Sequence, residues 1–225
     1  MPDFQVHASV DTVPPLAAAA DSGLPPLLAV PDGRKQLATR TFFGAALALM
    51  AVTASAWHPV AAAVMLILGY TLVRFAITGR AWTALYLTGH KKHQLVTGGP
   101  YSMCRNPLYF FTFVGLLGIG LAAGSLSIAT LIAAWFALYY PLVIRKEEAK
   151  LEALHGEVFI AYRQSTPAFF PRFGLLREAA VYSVQPAKIR ANTKDYVWMI
   201  WGLGLVQLFA LLHQAGLLPL LVRIY

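Results

Sequence analysis

Gly98-Gly99-Pro100-Tyr101-Ser102-Met103-Cys104-Arg105-Asn106-Pro107-Leu108-Tyr109 opens an apolar stretch. It runs to Ala123, turns at Gly124-Ser125, returns from Leu126 to Ile144 and closes on Arg145-Lys146-Glu147-Glu148. Each arm is near the roughly 20 residues that a helix needs to cross a ~30 Å hydrocarbon core. So tight a turn makes the arms an antiparallel helical hairpin, and the two polar motifs meet at one end of it. The chain has no Asp or Glu between Asp32 and Glu147, and then two Glu arrive side by side. Ionisable groups at membrane helices are expensive and point to a site.

Composition agrees with a membrane reading. The 225 residues are 58% hydrophobic and 12% charged, and the mean hydropathy is +0.59. Those values point to an integral membrane protein. The net charge of +8 does not indicate nucleic acid, because Lys and Arg lie between apolar segments rather than in a basic run interleaved with aromatics. A single cysteine, Cys104, excludes an internal disulfide framework and a thiolate metal site.

Further apolar runs cover Thr41 to Trp57, Pro59 to about Ile77, and about Tyr196 to Leu212. With the hairpin they predict an all-α, polytopic transmembrane bundle of about five spans. Residues 1–33, rich in Pro and Ala with no apolar period, read as a mobile tail, and 34–225 as one membrane domain. Ala54-Ser55-Ala56 resembles a signal cleavage site, but the polar region before it is far longer than a usual n-region. The basic residues at 34, 35, 40, 74, 80, 91, 92, 105, 145, 146, 150 and from 163 to 194 fall on one side and Arg223 on the other. That asymmetry places the tail, both motifs and residues 145–195 in the cytoplasm, at an inner-membrane-type bilayer. Leu151, Leu154, Val158 and Tyr162 predict a cytoplasmic helix continuing from the fourth span, weakened at Gly156 and ended by Pro167 and Pro171.

Asn106-Pro107 is helix-start chemistry, with Asn as N-cap and Pro at the first helical position. The positive end of that helix, with Arg105, makes a seat for a carboxylate or phosphate. Arg105 as a snorkelling anchor and Asn106 as a simple cap are the plainer alternatives. Tyr101, Tyr109, Tyr139 and Tyr140 could face a cation such as a sulfonium, or belong to an interfacial belt. Glu148 and Glu152 form a like-charge pair that costs roughly 0.2 to 0.5 kcal/mol unless an Arg or a ligand amine offsets it. Pro141 is expected to kink the fourth span, unless it is an ordinary tolerated membrane proline. His90 and His93 lack a third ligand nearby, so no metal is expected. Cys104 has no positioned base and reads as a packed thiol.

At these residues the chain resembles the isoprenylcysteine carboxyl methyltransferase family and the related membrane phospholipid methyltransferases. The shared pattern is Gly99-Pro100-Tyr101, Arg105-Asn106-Pro107-Leu108-Tyr109, Arg145, Glu147-Glu148, Leu151, Gly156, Tyr162 and Pro171, covering about residues 95–173. Asn106 stands where the carboxyl methyltransferases usually have His, and Phe111 where a Gly is frequent. The resemblance implies S-adenosylmethionine-dependent methyl transfer to a lipophilic acceptor, such as a prenylcysteine-type carboxylate, at the cytoplasmic interface. It implies that Tyr101, Arg105, Asn106, Pro107, Tyr109, Glu147 and Glu148 hold the cofactor, and that Arg105, Arg145 and Glu148 act in catalysis. Two other readings stand beside it: a membrane reductase using NADPH, which shares a similar hairpin and an Arg-His-Pro-x-Tyr motif, and a non-enzymatic membrane protein.

Overall fold

Two helices that approach through their glycines set the frame of the bundle. In this computed structural model, α1 spans Pro59–Thr88, the one-turn α2 Pro100–Met103, and α3 Pro107–Ala122. A Cβ on Gly69 would lie 2.5 Å from the Gly118 carbonyl oxygen, and one on Gly118 would lie 2.7 Å from that of Gly69. Farther along, Gly79 lies under the ring of Phe111 and Arg80 reaches Leu108 and Thr112. The two helices are therefore antiparallel. Glycine is needed at these crossings because any side chain would push one backbone off the other.

The remaining helices are α4 (Leu126–His155), α5 (Glu157–Ser165) and α6 (Pro186–Gln214), with a short 3-10 turn at Phe173–Leu175. The structure describes residues 41, 44–88, 95–181, 186–219 and 221–224. These belong to one compact unit, Arg40–Tyr225. The expected tail at 1–33 and the His90/His93 pair lie outside the described residues.

One core cluster joins α1, α3 and α6 through Val73, Ala76, Ile119, Ala122, Met199, Leu203 and Val206. A second joins α3 to α4 through Leu116, Ile128, Ile132 and Phe136. Met199 packs on Gly115 and Gly202 on Ile119, so α6 runs parallel to α3. The hairpin turn is capped by Ser125, whose side chain accepts from the Ile128 N–H at 3.1 Å.

Among the described residues three segments are long and apolar enough to cross a membrane: Pro59–Leu87, Leu126–His155 and Val197–Gln214. The architecture is the expected all-helical membrane bundle, with differences in extent. The first predicted span, 41–57, is helical only to residue 52 and then gives way to a strand, Thr53–Ser55. That strand pairs in parallel with Val222–Ile224. The second was expected to end near Ile77 but continues to Thr88, because Gly79 and Arg80 are packed against α3. Helix α4 passes through Pro141 without interruption and stops at Gly156, where φ is 52°. The expected continuous helix from Lys146 to Arg163 is thus two helices, since only glycine adopts that backbone readily.

These contacts lead to a first prediction. Gly69→Val and Gly118→Val each lower stability by about 1–3 kcal/mol or more, read as thermal unfolding in detergent. Gly204→Ala, which meets no atom within 4 Å, leaves the transition within about 1 kcal/mol of its original stability or slightly raises it.

Candidate functional site

The site begins with the turn that carries Arg105. Gly99 has φ 57°, and its N–H donates to the Arg177 carbonyl at 2.8 Å. The Tyr86 ring lies where a Cβ would be, so only glycine fits. After α2, the backbone N–H of Arg105 donates to Pro167 O at 2.8 Å and that of Arg172 to Met103 O at 3.0 Å. The Tyr162 hydroxyl donates to Tyr101 O at 2.6 Å. The segment after α5 is thereby laced to the loop before α3.

Arg105 and Glu148 meet across this junction. Arg105 Nε lies 2.9 Å from Glu148 Oε1 and Nη2 lies 3.2 Å from Oε2, a bidentate fork. Nη1 of the same guanidinium donates to Arg163 O at 2.9 Å and Thr166 O at 2.5 Å. The side chains are only 11% and 14% exposed. Charge-assisted, two-pronged pairs of this kind fix geometry as well as energy. Asn106 is the N-cap residue of α3 by position, but its side chain makes no cap bond. Its Nδ2 donates instead to Glu148 Oε1 at 3.1 Å and to Ala168 O at 3.0 Å. At the start of α3, where the sequence suggests an anion seat, the Arg105 and Asn106 side chains hold the chain's own Glu148. The like-charge pair Glu148/Glu152 is offset twice, by Arg105 and by Arg163, which lies 2.7 Å from Glu152.

A cavity of about 630 Å³ opens beside this knot. Of the residues that the resemblance assigns to cofactor binding or catalysis, Tyr101, Arg105, Asn106, Pro107, Tyr109 and Glu147 line it; Arg145 and Glu148 do not. Arg145 is exposed on α4, outside the cavity wall, and Glu148 is engaged by Arg105 and Asn106. Helical register explains the division. Tyr140, Glu147, Leu151 and Leu154 recur at seven, four and three residues and form one face of α4, whereas Glu148 is turned about 100° away from Glu147. The Tyr109 hydroxyl donates to Glu147 Oε2 at 2.6 Å. The Tyr109 ring meets Tyr140 edge to face at 5.3 Å.

Arg80, Thr112, His155 and Trp198 also line the cavity. Arg80 was read from the sequence only as a topology marker. An Arg well inside what proves to be a single long helix is the signal that would have identified it. Its Nη1 donates to Leu108 O at 3.2 Å and to the Thr112 hydroxyl, which fixes the guanidinium against the first turns of α3.

Burial sets the protonation of the groups around the turn. Desolvation, and after it the neighbouring Tyr162 and Glu147, hold Tyr101 well above the ordinary phenol range. Tyr162 is raised chiefly by burial as well. Cys104 is fully buried, which pushes its thiol up to about 12, an effect only partly countered by the Asn106 backbone and Arg105. A thiol so held stays protonated and inert. Among the described residues no three His, Cys, Asp or Glu side chains come together as a metal-ion cluster.

Residues 57–158 match the phospholipid methyltransferase family. The cobalt-zinc-cadmium resistance protein CzcN of Cupriavidus metallidurans is 42% identical over 160 residues, 71% of this chain and 74% of that protein. The nickel-cobalt-cadmium resistance protein NccN of Alcaligenes xylosoxydans xylosoxydans is likewise 42% identical over 160 residues, 71% of this chain and 75% of its own length. No solved structure matches the chain.

Removing one half of the buried fork strands the other. Arg105→Ala lowers unfolding stability by about 3 kcal/mol, and Arg105→Met with Glu148→Leu recovers most of that loss in the same thermal assay. Iodoacetamide at pH 8 leaves Cys104 unmodified in the folded protein and labels it only after denaturation, as mass spectrometry would show. The sign for pH follows from the raised thiol: stability from this group is full below pH 9 and falls as pH rises toward about 12, because the unfolded thiol ionises first.

Proposed function

Because this chain belongs to the family of CzcN and NccN and matches the phospholipid methyltransferase family over residues 57–158, we propose that it is an integral membrane methyltransferase using S-adenosylmethionine. The acceptor in this proposal is a lipophilic molecule that reaches the site from the bilayer. The observation that carries the reading is the mixed wall of the 630 Å³ cavity. Glu147, Arg80 and tyrosine rings stand beside Leu87, Leu95, Val96, Leu151 and Leu154 at one end of a hydrophobic bundle. The volume is within the usual range for sites that enclose a ligand of cofactor size.

The residues present fit the donor. The Glu147 carboxylate suits an ammonium group or ribose hydroxyls, Arg80 suits a carboxylate, and the faces of Tyr109 and Tyr140 suit a sulfonium. When bound, the donor supplies an electrophilic methyl group on a positively charged sulfur. Arg105, Asn106 and Glu148 act as positioning residues, holding the α3 start against α4 so that Tyr109 and Glu147 stay on the cavity wall. Apolar side chains exclude water from the reacting pair. An acceptor that prefers hydrocarbon by about 0.8 kcal/mol per buried CH₂ is concentrated where the water-soluble donor can meet it. Placement of two reactants supplies the rate in this scheme, without a covalent enzyme intermediate.

The relatives are named for resistance to cobalt, zinc, cadmium and nickel. For this chain we read that as a physiological setting, in which methylation of a membrane component serves cells under metal load. The site face is assigned to the cytoplasm on the distribution of Lys and Arg.

Titration calorimetry with S-adenosylhomocysteine, the demethylated donor, tests the proposal on detergent-purified protein. Micromolar binding is expected, weakened about tenfold or more in Glu147→Gln through loss of a charged hydrogen bond. Glu148→Gln weakens it indirectly, together with a lowered unfolding temperature. Absence of heat from the folded wild type, with heat from NADPH, would overturn the proposal in favour of a reductase.

A further inference from the structure

Phe169-Phe170-Pro171-Arg172-Phe173-Gly174-Leu175-Leu176-Arg177-Glu178 follows α5 and contains the 3-10 turn. Its two ends are fixed against long apolar helices. At one end the Phe169 ring lies 5.8 Å from that of Phe110, 5.9 Å from Phe113 and 5.7 Å from Phe136, packed on the core between α3 and α4. Phe136 precedes Arg145 by nine residues, about 13 Å along the helix axis. At the other end Glu178 Oε1 accepts from Trp82 Nε1 at 3.1 Å. Trp82 precedes by five residues the end of the apolar span Pro59–Leu87. The segment is therefore held level with the ends of the apolar helices, not above them.

Several of its apolar side chains are left uncovered at that level. Phe170 is 70% exposed, Phe173 67% and Leu176 42%. Phe170 stands edge to face on Phe169 at 5.1 Å, so an open ring follows directly on one packed into the bundle. Arg172 and Arg177 alternate with these residues and are exposed. Among the described residues neither guanidinium has a carboxylate partner, and the segment's own acid, Glu178, is engaged by Trp82.

We propose that residues 169–178 form a strap that docks in the membrane interface and binds anionic phospholipid. Phe170, Phe173 and Leu176 enter the boundary between acyl chains and headgroups, and Arg172 and Arg177 meet the phosphates of the leaflet on the motif side. Aromatic rings beside arginines suit that boundary, where one end of a side chain is dry and the other wet. The occupant is lipid rather than a second copy because the strap's depth is fixed by Phe169 and Glu178, where the bilayer is the surrounding medium. The two cations complement an anionic leaflet. The same backbone is bonded to the loop that carries Arg105, so the strap sets the height of the motif end in the membrane. This contact stands whatever reaction the neighbouring cavity supports.

The test uses the full chain in nanodiscs of phosphatidylcholine and phosphatidylglycerol. Nitroxide labels are placed on Phe170→Cys and, separately, on Phe173→Cys; the native Cys104 is buried and stays unlabelled in the folded protein. Collisions with oxygen are expected to exceed those with a water-soluble nickel chelate at both positions. Photoactivatable phosphatidylglycerol is expected to label residues 169–178 of the wild type about fivefold or more above the matching phosphatidylcholine, and Arg172→Gln with Arg177→Gln removes that preference. The wild-type photolabelling stands even where a variant fails to fold. Stronger collision with the nickel chelate would place the strap in water and overturn the proposal. Spectra broadened by spin exchange that sharpen on dilution with unlabelled chain would put a second copy on this face instead. Equal labelling by the two lipids would likewise overturn it.

Discussion

The bidentate pair between Arg105 and Glu148 is the constraint on which the site depends. It joins the loop before α3 to the last turns of α4 across the open end of the hairpin. The same guanidinium also holds the carbonyl of Arg163, in the last turn of α5, and that of Thr166, which caps it. A partly buried ion pair is weak evidence for stability, since desolvation offsets much of the attraction. Its effect here is positional. With Glu148 fixed, the helical repeat of α4 puts Glu147, Tyr140, Leu151 and Leu154 on the cavity side. The Glu-Glu doublet is thereby divided into one acid that organises the fold and one that faces the cavity.

Much of this architecture was legible in the sequence, because the hairpin depends on local signals. Two apolar arms, a Gly-Ser turn, a proline at the start of α3 and paired acids at the end of α4 are all readable without tertiary information. What was not legible depended on partners distant in sequence. Asn106 has the identity and place of a helix cap, and only Glu148 opposite explains why its side chain serves another role. Gly79-Arg80 resembled the end of a span, yet Gly79 is an accommodation for Phe111 and Arg80 a strut to α3. The halt at residue 52 required strand 222–224, which lies at the far end of the chain.

The two ends of the bundle are built on different principles. At the motif end, charges of both signs are matched and a single exposed carboxylate faces a cavity with mixed walls. At the other end His213, Gln207 and Gln214 stand among the apolar side chains that line a second cavity. Between them α1 and α3 are locked by Gly69 and Gly118, so neither end can be reshaped by sliding one helix along the other. Such a frame is closely packed at its centre and opens into a cavity at each end.

The most direct test of the methyl-transfer reading follows the label rather than the protein. Membranes containing the wild-type chain or Glu147→Gln would be incubated with S-adenosylmethionine tritiated in its methyl group, and the organic-solvent extract counted. Label entering the organic phase with the wild type, and falling to the level of membranes lacking the protein in a variant that remains folded, is the expected result. Equal label in both, or none above background with the wild type, would contradict methyl transfer to a lipophilic acceptor at this site.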